Sequence, residues 1–181
     1  MIIKQIEKSE RLKIIDKILD LMYRIYISTN GAYPKLEWIP KEKKPKVSEE
    51  NSFKKFKFYY EPFLKWRLTK ELDEVFIAFE NEEIIGIIAL NSNVRGKYVP
   101  WVPKEYRNRD DVGFIELFAV YPKYQGRGLG STLFDMAIRD LKRKGKKPLL
   151  TTFPDLKAVK FYKKKGGKIL SKLDKYVIFE F

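Results

Sequence analysis

One segment constrains the fold of this chain more than any other: the glycine-rich run from Gln125 to Gly130, with the sequence QGRGLG. An apolar run over 112–120 precedes it, and an amphipathic run that ends near Gly145 follows it. This pattern predicts a strand, a tight turn and a helix. Glycine allows positive φ and close approach of the backbone to a ligand, and a helix start offers unpaired N–H groups and a positive dipole end. We therefore expect a phosphate group to bind at this turn.

Hydrophobic periodicity predicts that the remaining segments belong to one mixed α/β domain. We expect a strand over 2–6, helices over 9–27 and 51–72, a hairpin of 74–79 and 84–90, a strand over 148–153, and a closing strand pair over 168–171 and 175–181. A further helix follows Pro154 and ends at Gly166, and Pro62 is expected to break or restart the helix that contains it. The chain has no internal repeat and no interdomain linker, so residues 1–181 are expected to form a single domain.

Composition excludes several kinds of chemistry. The chain contains neither cysteine nor histidine, so disulfides, thiolate or imidazole metal ligands and a histidine base are excluded, and we expect no metal. The net charge of +14 favours anionic partners such as a phosphorylated cofactor. No apolar run reaches the roughly 18–20 residues of a membrane span, and the first residues are too polar for a signal peptide. A soluble, cytoplasmic protein without membrane contact is therefore expected.

Three kinds of phosphate-binding turn are compatible in outline with the segment from Gln125 to Gly130. A P-loop requires a lysine directly before a serine or threonine, but no lysine precedes Ser131-Thr132. A dinucleotide-binding fingerprint requires Gly-x-Gly-x-x-Gly early in a βαβ unit, whereas these glycines occupy positions 126, 128 and 130, late in the chain. The remaining kind, an acyl-CoA-binding turn, depends on a family resemblance.

The spacing Gln125-x-x-Gly128-x-Gly130, preceded by FAVYP at 118–122, resembles the acyl-CoA signature of the GCN5-related N-acetyltransferase (GNAT) superfamily. The segment DLKAVKFYKKKG at 155–166 resembles that superfamily's later strand–helix motif, and the two motifs occur in the expected order. The resemblance covers nearly the whole chain. It implies a single-domain α/β GNAT-like fold, with a mixed, mostly antiparallel central sheet and helices on both faces. Two positions depart from the pattern: Asp155 replaces the usual asparagine, and Gly167 replaces the usual aromatic residue.

The resemblance also implies which residues hold acetyl-CoA, the expected co-substrate. The diphosphate is expected at backbone N–H groups of the glycine turn. The pantetheine arm and the thioester are expected at the end of the fourth strand, which in that family diverges from its neighbour. The expected cofactor-binding residues are Phe118, Ala119, Val120, Gln125, Gly126, Arg127, Gly128, Leu129, Gly130, Ser131, Asp155 and Phe161. The Arg127 side chain can either contact a phosphate or extend into solvent, and the sequence does not favour one of these alternatives.

The implied reaction, acyl transfer from a thioester to an amine, calls for an acid and a base. Tyr162 matches the general-acid tyrosine of the family, and a phenol with a pKa of about 10 can protonate a thiolate whose free pKa is about 8.5. Strand alternation places Glu116, Phe118 and Val120 on one face. If that face lines the cleft, Glu116 can take the amine proton directly or through water. A core role for Tyr162, and a surface or salt-bridged role for Glu116, are the alternatives.

Two inserts, at about 28–72 and 91–110, are expected to form the acceptor site. Their aromatic residues include Tyr33, Trp38, Tyr59, Tyr60, Trp66, Tyr98, Trp101 and Tyr106. An aromatic-lined cleft suits a primary amine, whether on a small molecule, a lysine or a protein N-terminus. A non-catalytic acyl-CoA-binding protein and a basic nucleic-acid-binding module are the alternatives, although no known nucleic-acid-binding signature occurs. We expect a monomer or a homodimer without a nucleic-acid partner.

Overall fold

A single seven-stranded sheet forms the centre of the protein, in the strand order β1-β2-β3-β4-β5-β7-β6. The computed structural model describes residues 1–173 and 175–181. The strands are β1 (Ile2–Gln5), β2 (Glu74–Glu80), β3 (Glu83–Asn91), β4 (Val112–Val120), β5 (Lys147–Thr152), β6 (Lys168–Leu173) and β7 (Tyr176–Glu180). All neighbouring strands pair antiparallel except β4 and β5, which are parallel. The predicted α/β fold with a mostly antiparallel sheet is confirmed.

Six α-helices connect the strands. They are α1 (Lys8–Arg11), α2 (Ile15–Ser28), α3 (Ser52–Trp66), α4 (Lys104–Arg107), α5 (Leu129–Arg143) and α6 (Ala158–Lys164). The long helix α5 is the crossover that two parallel strands require. None of the helices in the described ranges is both long enough and apolar enough to cross a membrane.

Buried apolar side chains form a main core on each face of the sheet. On one face, α2 and α3 cover residues such as Ile87, Leu117 and Ala119. On the other face, α5 and α6 cover a second core that includes Phe134 and Tyr162. Because both faces are covered, the central strands β3 and β4 are almost entirely buried.

Helix α3 differs from the prediction at Pro62, which does not break or restart it. The helix runs through Pro62 from Ser52 to Trp66. Proline removes the hydrogen bond to the carbonyl group four residues earlier, but Pro62 and Phe58 are both exposed, so water can satisfy that carbonyl group. The helix then widens into a π-helical turn, Arg67–Glu71, before the chain enters β2.

Candidate active site

Strands β4 and β5 stop pairing before their C-terminal ends, and the space between the two unpaired ends is hereafter called the cleft. Their pairing extends only from Val112↔Lys147 to Ile115↔Leu150. Beyond this point β4 continues to Val120, while β5 continues to Thr152 in contact with β7. The last residues of β4 therefore have a strand partner only on the β3 side.

The orientation of the β4 backbone leaves polar groups facing this cleft. The Tyr121 N–H donates to the Ile85 carbonyl group of β3 at 2.9 Å. Because successive residues of a strand direct their N–H and C=O groups to opposite sides, Ala119 also faces β3, whereas Phe118 and Val120 face the cleft. The cleft-facing carbonyl group of Val120 accepts a hydrogen bond of 3.0 Å from the Gln125 side-chain amide.

The glycine turn lies directly beside this strand end. Gly126 and Gly128 have φ angles of 75° and 88°, and an added Cβ atom would meet nothing within 4 Å at either residue. Gly128 is the N-cap of α5 and provides no side-chain hydrogen bond, so the first N–H groups of α5 have no capping partner. The backbone here is open to an anion at the positive end of a 15-residue helix.

The remaining residues of the turn serve different purposes. Leu129 is 4% exposed and packs into the core, so only its backbone can contribute to a site. Gly130 lies against β4, because an added Cβ would come within 3.5 Å of Phe118 and 3.6 Å of Val120. The guanidinium of Arg127 lies 5.8 Å from the centre of the Tyr124 ring and is exposed, while Ser131 is half-buried.

Tyr162 lies on α6, which faces α5. Its ring is 5% exposed and packs against Phe134 and Phe179, with ring centres 5.7 and 5.8 Å away. Its hydroxyl group has no hydrogen-bond partner within the described chain. Burial, and to a smaller extent the neighbouring Tyr33 phenol, raises the pKa of Tyr162. The hydroxyl group therefore remains protonated at neutral pH.

Aromatic packing holds Tyr162 in place despite the missing aromatic residue at position 167. A Cβ atom on Gly167 would lie only 2.6 Å from the Phe181 ring, so this ring occupies the space beside Gly167. Phe181 packs against Phe134 at 4.9 Å and Tyr162 at 6.4 Å. Phe161, the other expected contact on α6, packs against Phe118 at 5.6 Å. The departure at Gly167 is therefore a matter of packing.

Asp155 lies at the exit of β5 and is exposed. Both of its carboxylate oxygens accept hydrogen bonds from Lys35, at 2.9 and 2.8 Å. This partner lowers the pKa of Asp155. The pair links the 28–72 insert to the loop before α6 and borders an open depression that also includes Phe153 and Lys175.

Glu116 does not share a face with Phe118 and Val120, so the alternation prediction is wrong at this residue. The β3–β4 register pairs Ala89 with Leu117 and Leu90 with Ile115, which leaves Glu116 as the extra residue of a β-bulge. A bulge redirects the side chain of the extra residue. The Glu116 carboxylate therefore lies on the α3 side of the sheet, beside Arg67.

The Glu116 side chain is buried and held through one oxygen. Its Oε2 accepts hydrogen bonds from the Trp101 indole Nε1 at 2.6 Å and from Arg67 Nη2 at 3.3 Å. Its Oε1 is buried without a partner in the described chain. Burial and the nearby Glu71 carboxylate raise the pKa of Glu116 to about 7, against the opposing effects of Arg67 and Trp101. Glu116 is therefore salt-bridged, as one of the alternatives predicted. A carboxylate with a pKa near neutrality is also suited to accept a proton.

Sequence patterns did not identify Arg67 as the charged partner of Glu116. Arg67 donates to Glu71 through Nε at 2.5 Å, and Glu71 also accepts a hydrogen bond of 2.7 Å from Asn91. All three are buried. The available signal was an Arg-x-x-x-Glu pair within a largely apolar stretch, but this spacing is common on exposed helix surfaces.

Aromatic residues of the two inserts meet next to Glu116. The Trp66 ring lies 6.0 Å from Tyr98 and 6.5 Å from Trp101, and Phe63 joins Trp66 to Trp38 at 5.7 and 4.5 Å. Tyr59 and Tyr106 lie outside this group and pack against Phe58 and Phe114. Across residues 1–173 and 175–181, no three acidic side chains converge in a way that could hold a metal ion.

The sequence and the fold are similar to those of known proteins. The model of the acetyltransferase (GNAT) family matches residues 34–167. A candidate acetyltransferase from Pyrococcus horikoshii has a similar crystal structure, with a TM-score of 0.76 and 42% sequence identity over 99% of this chain and 96% of that chain. PaiA N-acetyltransferase from Thermoplasma acidophilum, solved in complex with coenzyme A, shares the fold with a TM-score of 0.62 and 18% identity over 99% and 98% of the two chains.

An uncharacterised N-acetyltransferase of Methanocaldococcus jannaschii is similar in sequence. It is 27% identical over 118 residues, which is 61% of this chain. The match spans about half, 48%, of the length of that relative.

Proposed function

Because the chain belongs to the acetyltransferase (GNAT) family, we propose that it transfers an acetyl group from acetyl-CoA to a primary amine by direct attack on the thioester. The observation that carries the proposal is the cleft between β4 and β5, with the backbone of Phe118 and Val120 facing it. A thioester carbonyl group needs hydrogen-bond donors as its oxygen becomes negative. Two N–H groups on a rigid, buried strand provide such donors without reorganisation.

The diphosphate of acetyl-CoA binds at the glycine turn in this proposal. The open backbone from Gly126 to Gly130 and the uncapped start of α5 provide N–H donors and a positive dipole. The pantetheine arm then extends from the turn into the cleft, because Gly130 lies directly against Phe118 and Val120. Asp155 was expected to contact the pantetheine arm, but Lys35 already binds both of its oxygens.

The proposed chemistry follows from the two titratable side chains. The amine nitrogen attacks the thioester carbon and forms the amide bond, and the carbon–sulfur bond breaks. Glu116 accepts the proton that the amine loses, which its raised pKa of about 7 permits. Tyr162 gives its proton to the leaving thiolate and regains one from solvent. Burial keeps the Tyr162 phenol protonated until that step.

The acceptor amine approaches along the aromatic residues of the two inserts. Trp101 donates to the Glu116 carboxylate, Trp66 packs against Trp101, and Tyr98, which packs against Trp66, is 73% exposed. Aromatic faces attract ammonium groups, and in this proposal the bound ammonium group loses its proton to Glu116. The proposal covers amines on small molecules and on peptides.

Measurement of thiol release tests this function. The protein is incubated with acetyl-CoA and a panel of alkylamines, aminoglycosides, lysine peptides and peptides with free N-termini. We expect thiol release that depends on one class of acceptor and is strongly reduced in Tyr162→Phe. Tight binding of acetyl-CoA without turnover across the whole panel would instead support a non-catalytic acyl-CoA-binding protein.

A further inference from the structure

The π-helical turn Arg67–Glu71 presents two opposite charges to the carboxylate of Glu116. We propose that Arg67 and Glu71 are positioning residues that determine both the orientation of the Glu116 carboxyl group and the pH range over which it accepts a proton. The inference rests on the proposed function, in which Glu116 is the base. Neither residue touches the reacting atoms, and both act through Glu116.

The geometry of the turn places both side chains on one side. A backbone hydrogen bond of 2.9 Å from the Leu72 N–H to the Arg67 carbonyl group closes the turn over five residues. This wider spacing is uncommon in proteins and occurs often at functional sites. Arg67 and Glu71 remain close enough for an Nε–Oε2 contact of 2.5 Å, and Arg67 also donates to the Glu116 backbone carbonyl group at 3.1 Å.

A second buried arginine holds the turn in place. Arg11 donates to the carbonyl groups of Leu68 at 3.0 Å, Leu72 at 2.7 Å and Asp73 at 2.7 Å. Burial lowers the pKa of Arg11, and its charge is compensated by these carbonyl dipoles and by Glu7 and other acidic groups nearby. The turn is therefore rigid at its C-terminal end, so Arg67 and Glu71 keep a fixed position relative to β4.

The hydrogen bonds divide unequally between the two carboxylates. Both oxygens of Glu71 have donors, Nε of Arg67 on Oε2 and the side-chain amide of Asn91 on Oε1. Among the described residues, Glu116 has donors only on Oε2, while its Oε1 is buried without a partner. One guanidinium thus serves two buried carboxylates. Full ionisation leaves an excess negative charge, and a proton on Glu116 Oε1 removes it.

Other groups that face Glu116 have fixed or distant charges. Trp101 and Asn91 are neutral at all relevant pH values. Beyond Asn91, the charges of Asp73 and Lys97 are paired with each other at 2.6 Å. The phenols of Tyr33 and Tyr60 lie near Arg67, and burial raises the pKa of both, so they stay neutral. Arg67 and Glu71 are therefore the charges that control the protonation of Glu116.

Titration of the Glu116 carboxyl group by ¹³C NMR tests the inference without an acceptor. The indole N–H resonance of Trp101, assigned with Trp101→Phe, is a second reporter because it donates to Glu116. We expect Glu71→Gln to lower the midpoint of the Glu116 titration and Arg67→Met to raise it, each by about one pH unit or more. Glu61→Gln is the matched control, because Glu61 is a carboxylate of the preceding helix α3 that pairs with Lys65 instead.

Opposite shifts in the two variants are the result that a purely structural role would not produce. Unchanged midpoints, or shifts in the same direction, would overturn the inference. If Arg67→Met does not fold, Arg67→Lys replaces it: the lysine keeps the charge but loses the planar contact with both carboxylates, so a smaller upward shift is expected and no upward shift would count against the inference. Thiol release by Glu116→Gln is measured separately. Full activity of that variant would refute the base role in the proposed function while leaving the titration result intact.

Discussion

The indole N–H of Trp101 donates a 2.6 Å hydrogen bond to the Glu116 carboxylate, which joins the 91–110 insert to the bulge of β4. Arg67 also lies over the Trp101 ring, with 5.1 Å between the guanidinium carbon and the ring centre. The aromatic residues that we propose to line the acceptor site and the proposed base, Glu116, are therefore parts of one contact network. A substitution of Glu116 is expected to change the rate of reaction with the acceptor amine and to leave acetyl-CoA binding at the glycine turn unaffected.

Replacing the proposed base tests its role in proton transfer. Glu116→Gln keeps the shape of the side chain and an oxygen for Trp101, but it cannot accept a proton. We expect kcat/KM for the acceptor to fall by about 10²-fold at neutral pH. The acid limb with an apparent pKa of about 7 should also disappear from the pH profile.

Steady-state rates between pH 5.5 and 9 measure this change. Glu82→Gln, in the exposed β2–β3 turn, is the matched control for loss of one carboxylate. A Glu116→Gln enzyme with the wild-type acid limb would show that another group accepts the proton.

Removing one hydroxyl group tests the proposed acid. Tyr162→Phe keeps the ring that packs against Phe134 and Phe179, so the fold and the affinity for acetyl-CoA are expected to change little. The departing thiolate loses its proton donor, and we expect kcat to fall by about 10²-fold. Calorimetric binding of acetyl-CoA and single-turnover rates separate the two effects. Tyr23→Phe, on α2, is the control, and equal turnover in both variants would rule out Tyr162 as the acid.

The backbone of the glycine turn is tested by a pair of alanine variants. Gly128 and Gly145 lie just before and just after α5, with φ angles of 88° and 69°, and an added Cβ meets nothing within 4 Å at either one. Alanine at positive φ costs about 1–2 kcal/mol at both positions. Only Gly128→Ala disturbs the proposed diphosphate site, so we expect it alone to weaken acetyl-CoA binding, by about tenfold or more. Equal affinities in the two variants would place the diphosphate elsewhere.

The raised pKa of Glu116 predicts a pH-dependent contribution to stability. The pKa of Glu116 is about 7 in the folded protein and 4.5 in the unfolded chain. Between these values the folded protein binds a proton that the unfolded chain does not, so this group lowers the free energy of unfolding as the pH rises. The slope is at most about 1.4 kcal/mol per pH unit.

Urea unfolding of the wild type and Glu116→Gln at several pH values from 4.5 to 7.5 isolates this contribution. Carboxylates outside the network of Arg67, Glu71 and Glu116 affect both proteins equally. We expect the stability of the wild type relative to the variant to decline across this range. A constant difference would mean that Glu116 titrates in the folded protein as it does in the unfolded chain.

Sequence patterns predicted the elements well because their signals are local. The apolar alternation of β2 and β3, the glycines at 126 and 128, and the helical spacing of α5 are all properties of short segments. The resemblance of the two motifs to the GNAT superfamily predicted the fold. The roles of the individual site residues remain predictions that the experiments above address.

Features that depend on contacts between distant segments were missed. The bulge at Glu116 exists only through the register of β4 against β3, so alternation within one strand gave the wrong face. The π-helical turn depends on Arg11, more than fifty residues before it in the sequence. Likewise, the motif showed only that Gly167 lacks the usual aromatic side chain, whereas the structure shows that the Phe181 ring fills the space beside it. In each case the partner, not the segment itself, determines the local geometry.

The central claim is that acetyl-CoA binds between β4 and β5 with its diphosphate at the glycine turn. Titration of ¹⁵N-labelled protein with acetyl-CoA, followed through assigned amide resonances, tests it most directly. We expect large shifts for Phe118, Val120 and the residues from Gly126 to Gly130, a smaller shift for Ala119, and none for Gly145. If saturating acetyl-CoA leaves the Phe118 and Val120 amides unchanged, acetyl-CoA does not bind between β4 and β5.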